Sequence, residues 1–295
     1  MKKVLVTGGL GFVGSNLVDR LKKTSPEIEI TVIDNLSSES SSKDYRRDDV
    51  EYIIDDIRNL DKSKYANLKF DVIFHLAALA RIQPSFKDPS TYFDIDARGT
   101  QIVCEYARQI DSKVVYSGSS SFYAGPMLNP YAFAKHVGED CLELYSKVYG
   151  LKCATARFFN VYGDRQPISG PYATVIGIFE NLWSEGKKLT VTGDGKQRRD
   201  FTHITDIVDG LIEIGKGEYD AEIFNLGTGV NFSINEIANL FEDSKIEYVP
   251  KRPGEAEITL ADISKTLNMT EWSPKVEIDQ YIVNYCATPT TTVFR

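Results

Sequence analysis

The stretch "VLVTGGLGFVGSNLVDRL", Val4 to Leu21, decides how the rest of the chain is read. It opens with an apolar, β-branched run of the kind that forms a buried strand, and it ends in apolar residues at helical spacing. Between the two stand Gly8, Gly11 and Gly14, with Phe12 and Val13 inside the turn. A strand that breaks at such a turn and re-enters a helix offers unpaired N–H groups and the positive end of the helix dipole to an anion. The first glycine allows the bend, the second lets a pyrophosphate approach the backbone, and the third lets helix and strand pack closely. The spacing is Gly-x-x-Gly-x-x-Gly rather than the commoner Gly-x-Gly-x-x-Gly. Asp34 closes the next apolar run, "EITVID", 20 residues beyond Gly14. There a carboxylate accepts bonds from ribose hydroxyls and repels a 2′-phosphate, so NAD is expected rather than NADP. The alternative is a glycine-rich turn that holds nothing.

Moving outward, short β-branched runs alternate with helical patterns: "VEYIID", "FDVIFHLA", "KVVYSGSS" and "KCATARFFNVYG", and later "EIFNLGTG". Helices are expected over about 12–23, 89–109, 131–149 and 174–185. The runs are apolar on both faces, as parallel strands covered by helices are. The pattern predicts an α/β fold, a doubly wound parallel Rossmann sheet with a smaller C-terminal substrate-binding lobe. Residues 1–165, with returning segments at about 199–229, would form the dinucleotide domain. Residues 166–198 and 230–295 would form the lobe. Residues 37–49 read as a polar loop and the tail "ATPTTTVFR" as loose.

The totals narrow the class. With 295 residues, 42% hydrophobic and 26% charged, the chain has a globular composition. No apolar run approaches the roughly 18 residues of a membrane span. The apolar part of the N-terminus is too short for a secretory signal. A net charge of −8 disfavours a nucleic-acid-binding surface. Cys104, Cys141, Cys153 and Cys286 are scattered, and only His75, His136 and His203 are present, so neither disulfides nor a metal centre is expected. A cytoplasmic protein fits this usage.

"SGSSSFYAGPMLNPYAFAK", residues 117–135, holds the candidate chemistry. Ser119 lies at the carboxyl end of a strand, where ligands sit in open parallel sheets. Tyr131 begins the next helix, and four residues on, Lys135 falls on the same face. A second Tyr-x-x-x-Lys, Tyr65 and Lys69, lies in a polar connection and carries no such context. Free tyrosine titrates near 10, so a phenolate at neutral pH needs neighbouring cations. An ammonium from Lys135 and an oxidised nicotinamide are the expected ones. The phenolate would take a hydroxyl proton as hydride leaves for the nicotinamide, with Ser119 holding the same oxygen. An ordinary exposed helix pair is the plain alternative.

With these residues in place, the chain resembles the extended short-chain dehydrogenase/reductases, in their nucleotide-sugar epimerase/dehydratase branch. The resemblance runs from Lys3 to about Lys265 and rests on "VTGGLGFVGSN", "VIDNLSS", "DDIRN", "HLAALARIQPS", the serine cluster, "YAFAK", "RFFNVYG", "GDGKQRRDFTHITDI", "NLGTG" and "KRPGE". It implies that Asp34 and Asn35 hold the adenosine ribose, that Leu36 and Ser37 also bind the cofactor, and that Asp56 and Ile57 contact the adenine. Leu76, Ala77, Ala78 and Ala80 would line the cofactor, with Asp96 beside it and Phe159 near the nicotinamide. Tyr131 would be the acid/base, and Lys135 would also bind the nicotinamide ribose. Ser119, Ser120, Val175, Asn160, Arg199 and Arg252 would contact a nucleotide sugar, and Glu255 would take a ribose hydroxyl. Guanidinium forks suit phosphate oxygens; a solvated charged loop is the alternative for the arginines.

The resemblance also bears on the reaction. Relatives that eliminate water or carbon dioxide carry an acidic residue just after the catalytic Ser or Thr, and here Ser120 and Ser121 stand there. This favours NAD-dependent 4-epimerisation of a UDP-hexose, UDP-hexosamine or UDP-uronate through a 4-keto sugar. A 4,6-dehydratase, a decarboxylase or a keto-sugar reductase of the same fold remains the alternative, and a non-catalytic binding protein a third. Asp96 replaces the usual asparagine, the 119–131 connection is short, and Arg81 stands where relatives have a smaller residue. Arg81 is a candidate contact for a carboxylate or N-acetyl group, and a cofactor phosphate or solvent is the leading alternative for it. The helices at 89–109 and 131–149 carry apolar residues on more than one face, including Ile102, Val103, Val137, Cys141, Leu142 and Leu144; as in similar enzymes, one face would pair in a homodimer through a four-helix contact, with simple core packing the alternative.

Overall fold

All seven apolar runs pair into one sheet in a computed structural model that describes residues 1–38, 41–61 and 63–287. In chain order they are β1 (Lys3–Thr7), β2 (Glu29–Asp34), β3 (Glu51–Ile54), β4 (Val72–His75), β5 (Lys113–Ser119), β6 (Cys153–Phe158) and β7 (Asp220–Leu226). Their spatial order is β7-β6-β5-β4-β1-β2-β3, and every pairing is parallel. The order reverses at β1, between β2 and β4. A crevice opens at the carboxyl ends of the strands at such a reversal. Gly8 follows β1 directly into it. The polar loop at 37–49 is partly described, and residues 288–295 of the expected loose tail lie outside the described residues.

Period-two alternation builds two apolar layers, one on each face of the sheet. Val4 and Val6 of β1 enter one layer with Leu17, Val18, Ile207 and Leu211. Leu5, between them, enters the other with Ile73, Val103, Tyr116 and Leu142. The first layer is covered by α1 (Phe12–Thr24), among others, and the second by α2 (Gly99–Ile110) and α3 (Pro130–Tyr149). Ile102, Val103 and Leu142 are therefore core residues, whereas Leu144 is exposed.

The helix expected over 89–109 is interrupted. A short turn, Pro89–Tyr92, passes into a π-helical stretch, Phe93–Arg98, before α2 begins. The wider π turn carries Asp96 and Ala97 into the interior, an arrangement often met at functional sites. By contrast, α3 starts cleanly. The Asn129 side chain accepts the Ala132 N–H, Pro130 occupies the first turn, and Gly150, at φ +73, ends the helix. This fixes Tyr131 at the sheet's carboxyl edge.

A third apolar cluster includes Phe179, Leu189, Val191, Ile237, Phe241 and Ile282. It gathers α4 (Val175–Ser184) and α6 (Ile278–Ala287) around small paired strands, such as Leu189–Thr192 with Ile246–Val249. Between these parts the chain returns to the sheet through α5 (Ile204–Lys216) and β7. Among the described residues no helix is long and apolar enough to cross a membrane.

Candidate active site

A cleft of about 1030 Å³ runs along the carboxyl edge of the sheet and is walled on its far side by residues 167–178 and 252–259. At one end lies the glycine turn. A Cβ on Gly14 would stand 2.1 Å from the Gly8 carbonyl oxygen, so the third glycine is required by packing. A Cβ on Gly11 would meet no other atom of the chain closer than 3.4 Å, and it would project into the cradle that Gly11, Phe12, Val13 and Gly14 form. No side chain caps the first turn of α1, and that turn holds no acidic residue. The cradle therefore fits an anion held by backbone N–H groups.

Next along the cleft come Asp34, Asn35, Ser37, Asp56 and Ile57. Asp34 accepts the Leu10 and Leu36 N–H groups, one on each carboxylate oxygen, at 2.9 and 2.8 Å. Burial pushes its carboxyl up, opposed by these bonds and one from Ser41. Asn35 donates to Asp56, whose carboxyl falls to about 2, mainly through the Arg58 fork. Leu36 does not line the cleft; its side chain packs against the first apolar layer. Leu76, Ala77, Ala78 and Ala80 form the floor.

A chain of hydrogen bonds beneath that floor has no strong signature in sequence. The Thr7 hydroxyl accepts the Leu76 and Ala77 N–H groups, both at 3.2 Å, so its own proton points to His75 Nδ1, at 2.8 Å. His75 is neutral, its pKa pushed down to about 3 by burial and then by Lys135. Its Nε2–H is left to donate to Thr100, which donates to the Asp96 carbonyl. The strand end and the π turn are thus tied together through one imidazole.

At the other end Ser119 and Tyr131 face the same space. Ser119 Oγ accepts both the Ser121 hydroxyl, at 2.8 Å, and the Ser121 N–H, at 3.2 Å. With both lone pairs so used, its own proton is directed to the Tyr131 oxygen. Burial pushes the Tyr131 phenol above its ordinary value; a hydrogen bond with Ser119 works against this, Asp96 reinforces it, and Arg81 counters it. Lys135 does not supply the acidifying contact expected from sequence. It lies behind Tyr131, 4% exposed and outside the cleft lining, with Nζ 4.2 Å from the centre of the Tyr116 ring and 3.5 Å from Ser117 Oγ. Burial lowers its pKa, against the pull of Asp96 and Glu139. In this state the phenol is neutral, because desolvation outweighs the cations that reach it.

Asp96 is also outside the cleft lining and 1% exposed. Oδ1 accepts the Leu79 N–H at 2.8 Å, while Oδ2 is buried without a partner. Burial raises its pKa, opposed by Lys135. Phe159 is fully buried against Tyr123, and its neighbour Phe158 lines the cleft instead. Tyr65 is buried and donates to Asp55, far in role from any cleft base.

On the far wall stand Val175, Asn160, Arg199, Arg252 and Glu255, with Ser120 on the near side. The Asn160 amide N–H groups are spent on the Asp200 carbonyl and Thr259, leaving its oxygen available. Arg199 and Glu255 approach to 3.9 Å. Arg81 also faces the cleft, beside Tyr172 and Thr174, which the sequence did not single out.

Residues 4–227 match the NAD dependent epimerase/dehydratase family model. The UDP-glucose 4-epimerase of Mycolicibacterium smegmatis is 32% identical to this chain, covering 95% of it and 96% of the relative. Among solved structures, UDP-glucose 4-epimerase with UDP-glucose from Thermotoga maritima superposes with a TM-score of 0.89 at 26% identity, covering 97% of each chain. UDP-glucuronic acid 4-epimerase from Bacillus cereus, in complex with UDP-glucuronic acid and NAD, superposes with a TM-score of 0.86 at 28% identity, covering 97% and 99%.

Proposed function

The chain belongs to the NAD dependent epimerase/dehydratase family, and we propose that it catalyses the 4-epimerisation of a UDP-hexose, UDP-hexosamine or UDP-uronate with NAD as its resident cofactor. One observation carries the choice of reaction: Ser119 and Tyr131 present two hydroxyls to one cleft, and the next two residues, Ser120 and Ser121, are neutral. Elimination at neighbouring carbons needs an extra acid or base. Among the described residues, the carboxylates that line the cleft are Asp34, Asp55 and Asp56 at and beyond the ends of β2 and β3, and Glu255 beside Arg199.

The residues present fit the cofactor. The glycine cradle and the uncapped start of α1 would take the pyrophosphate, and Asp34, Asn35, Asp56 and Ile57 the adenosine. NAD, when bound, supplies the reversible two-electron oxidation of the sugar's C4. Tyr131 Oη takes the C4 hydroxyl proton and later returns it on the other face. Ser119, its oxygen already accepting from Ser121, donates its proton to the same C4 oxygen. Lys135 makes no hydrogen bond to the phenol, so the phenolate relies chiefly on the positive pyridinium, with the buried ammonium adding a longer-range attraction. Arg199, Arg252 and Asn160 hold the diphosphate side, and Glu255 a ribose hydroxyl.

The same reading divides the chain into a dinucleotide domain, 1–165 with returning segments at about 199–229, and a sugar-nucleotide lobe, 166–198 and 230–295. It also includes a cytoplasmic homodimer formed through α2 and α3. The test is incubation with UDP-, GDP- and dTDP-sugars followed by NMR of the products. The expected outcome is a C4 epimer of unchanged mass with no net use of NAD, and loss of about 10²–10⁴-fold in kcat for Tyr131→Phe with NAD still bound. Loss of water or carbon dioxide, or consumption of NADH, would replace this reading.

A further inference from the structure

We propose that Arg81 is a carboxylate-recognition group for the sugar ring, which makes a UDP-uronate the preferred substrate; this rests on the UDP-sugar reading above. The guanidinium is held by two backbone carbonyls, Nε donating to Tyr172 at 2.8 Å and Nη1 to Ala80 at 2.9 Å. A guanidinium has five N–H donors, so three remain. Both anchors are neutral, and among the described residues no carboxylate pairs with it.

Other arginines away from open solvent are matched here. Arg157 forks onto Glu139, Arg20 onto Asp209, and Arg199 lies beside Glu255. A cation drawn out of water without a counter-ion is costly, and the cost is relieved only when an anion arrives. Arg81 is half-buried, has no counter-ion among the described residues, and is fixed in place facing the cleft.

Its position says where that anion belongs. Arg81 and Tyr131 line the same space, and each is within electrostatic reach of the other. Tyr131 marks where C4 of the sugar must lie. In a nucleotide sugar the diphosphate hangs from C1, across the ring from C4, whereas C6 branches from C5 beside C4. A cation on the phenol's side of the cleft therefore meets the C3 or C6 edge rather than the diphosphate, and of these only C6 can carry a negative charge. The cofactor pyrophosphate is placed at the glycine cradle, and the substrate diphosphate by Arg199 and Arg252. What is left for Arg81 is a negative group at C6. A planar fork with donors to spare matches a carboxylate's two oxygens.

The carbonyl of Tyr172 that aims the fork is itself placed by its neighbour. Thr174 donates to Gln166 Oε1 at 2.6 Å and caps α4 by accepting the Gly177 N–H. The 170–174 segment is thus tied down on the lobe side, and Arg81 bridges it to the sheet.

The experiment compares UDP-glucuronate with UDP-glucose, which differ only at C6. Binding is measured on the NAD-loaded Tyr131→Phe protein, with and without Arg81→Ala or Arg81→Lys, alongside turnover by the native chain and the Arg81 variants. The Tyr131→Phe protein is expected to bind UDP-glucuronate roughly tenfold or more tightly than UDP-glucose, the size expected of a charged hydrogen bond. Arg81→Ala is expected to remove most of that ratio, and Arg81→Lys to keep part of it. Because a ratio within one protein is read, a general loss of affinity in a variant cannot imitate the result. A ratio unchanged by Arg81→Ala, or a native preference for UDP-glucose, overturns the proposal. Tight, Arg81-dependent binding of UDP-glucuronate without C4 epimerisation would uphold it and overturn the epimerase reading instead.

Discussion

At the scale of single residues, the glycine turn separates two roles that one motif conceals. Gly14 is needed for packing, because a methyl group there would collide with the Gly8 carbonyl. Gly11 has φ −84, a value any residue adopts, and a Cβ there would make no contact closer than 3.4 Å. Gly11→Ala is expected to melt within a few degrees of the native protein yet to lose at least tenfold in NAD affinity. Gly14→Ala is expected to lower the melting temperature by more than 5 °C. A Gly11→Ala protein that binds NAD normally would remove the cradle from the cofactor site. The pair Tyr131 and Lys135 was legible as a motif, but its electrostatics were not. Four-residue spacing puts two side chains on one face of a helix; it does not say how deep each lies. Lys135 is four residues further from the cleft mouth, under Tyr116, and its field is shared with Asp96, Glu139 and His75.

At the scale of elements, the strands were readable because each is apolar on both faces and bounded by turn residues. Their number, order in the chain and type follow from that pattern alone. The break at 93–98 was not readable, since one extra residue in a helical turn leaves the apolar periodicity almost intact. Nor were the two- to four-residue strands of the second half, such as Arg198–Asp200 against Asn231–Ser233, which exist through partners far away in sequence. Phe158 and Phe159 show the same limit: adjacent aromatics give no sign of which one reaches the cleft. One tie between elements has a measurable consequence. Glu180 of α4 accepts from Gln166 at 2.7 Å and from Tyr281 of α6 at 2.8 Å, and burial raises its carboxyl to about 7. The folded chain therefore holds a proton there that the unfolded chain releases near 4.3. The stability from that proton is complete below the unfolded value and is lost as pH rises through about 7. Glu180→Gln keeps the Gln166 bond on its amide oxygen, reverses the Tyr281 bond so that its amide N–H donates to the phenol oxygen, and removes the titration. Its melting temperature relative to the native protein is expected to climb between pH 5 and pH 8, equivalent to about 3 kcal/mol at most. A difference that stays flat with pH would show that Glu180 is ionised in the folded state.

At the scale of the whole molecule, α3 has one face turned outward. Val137, Cys141, Leu144 and Val148 follow one another at four- and three-residue steps, with Leu144 54% and Val148 59% exposed. An apolar stripe of that spacing fits a helix partner. Leu144→Arg is expected to convert a dimer to a monomer in light scattering; a native chain already monomeric at micromolar concentration would remove the dimer from the reading. The order in which the chain visits its parts has a consequence of its own. The first apolar layer contains residues from β1 and α1 but also Ile207, Leu211, Phe224 and Trp272. When the opening two-thirds of the polypeptide has left the ribosome, six strands can already align, yet the oily flank of the nascent sheet still lacks the residues that will seal it. Until roughly seventy-five more amino acids emerge, bringing Trp272, that flank is a target for chaperones and for sticking to other chains.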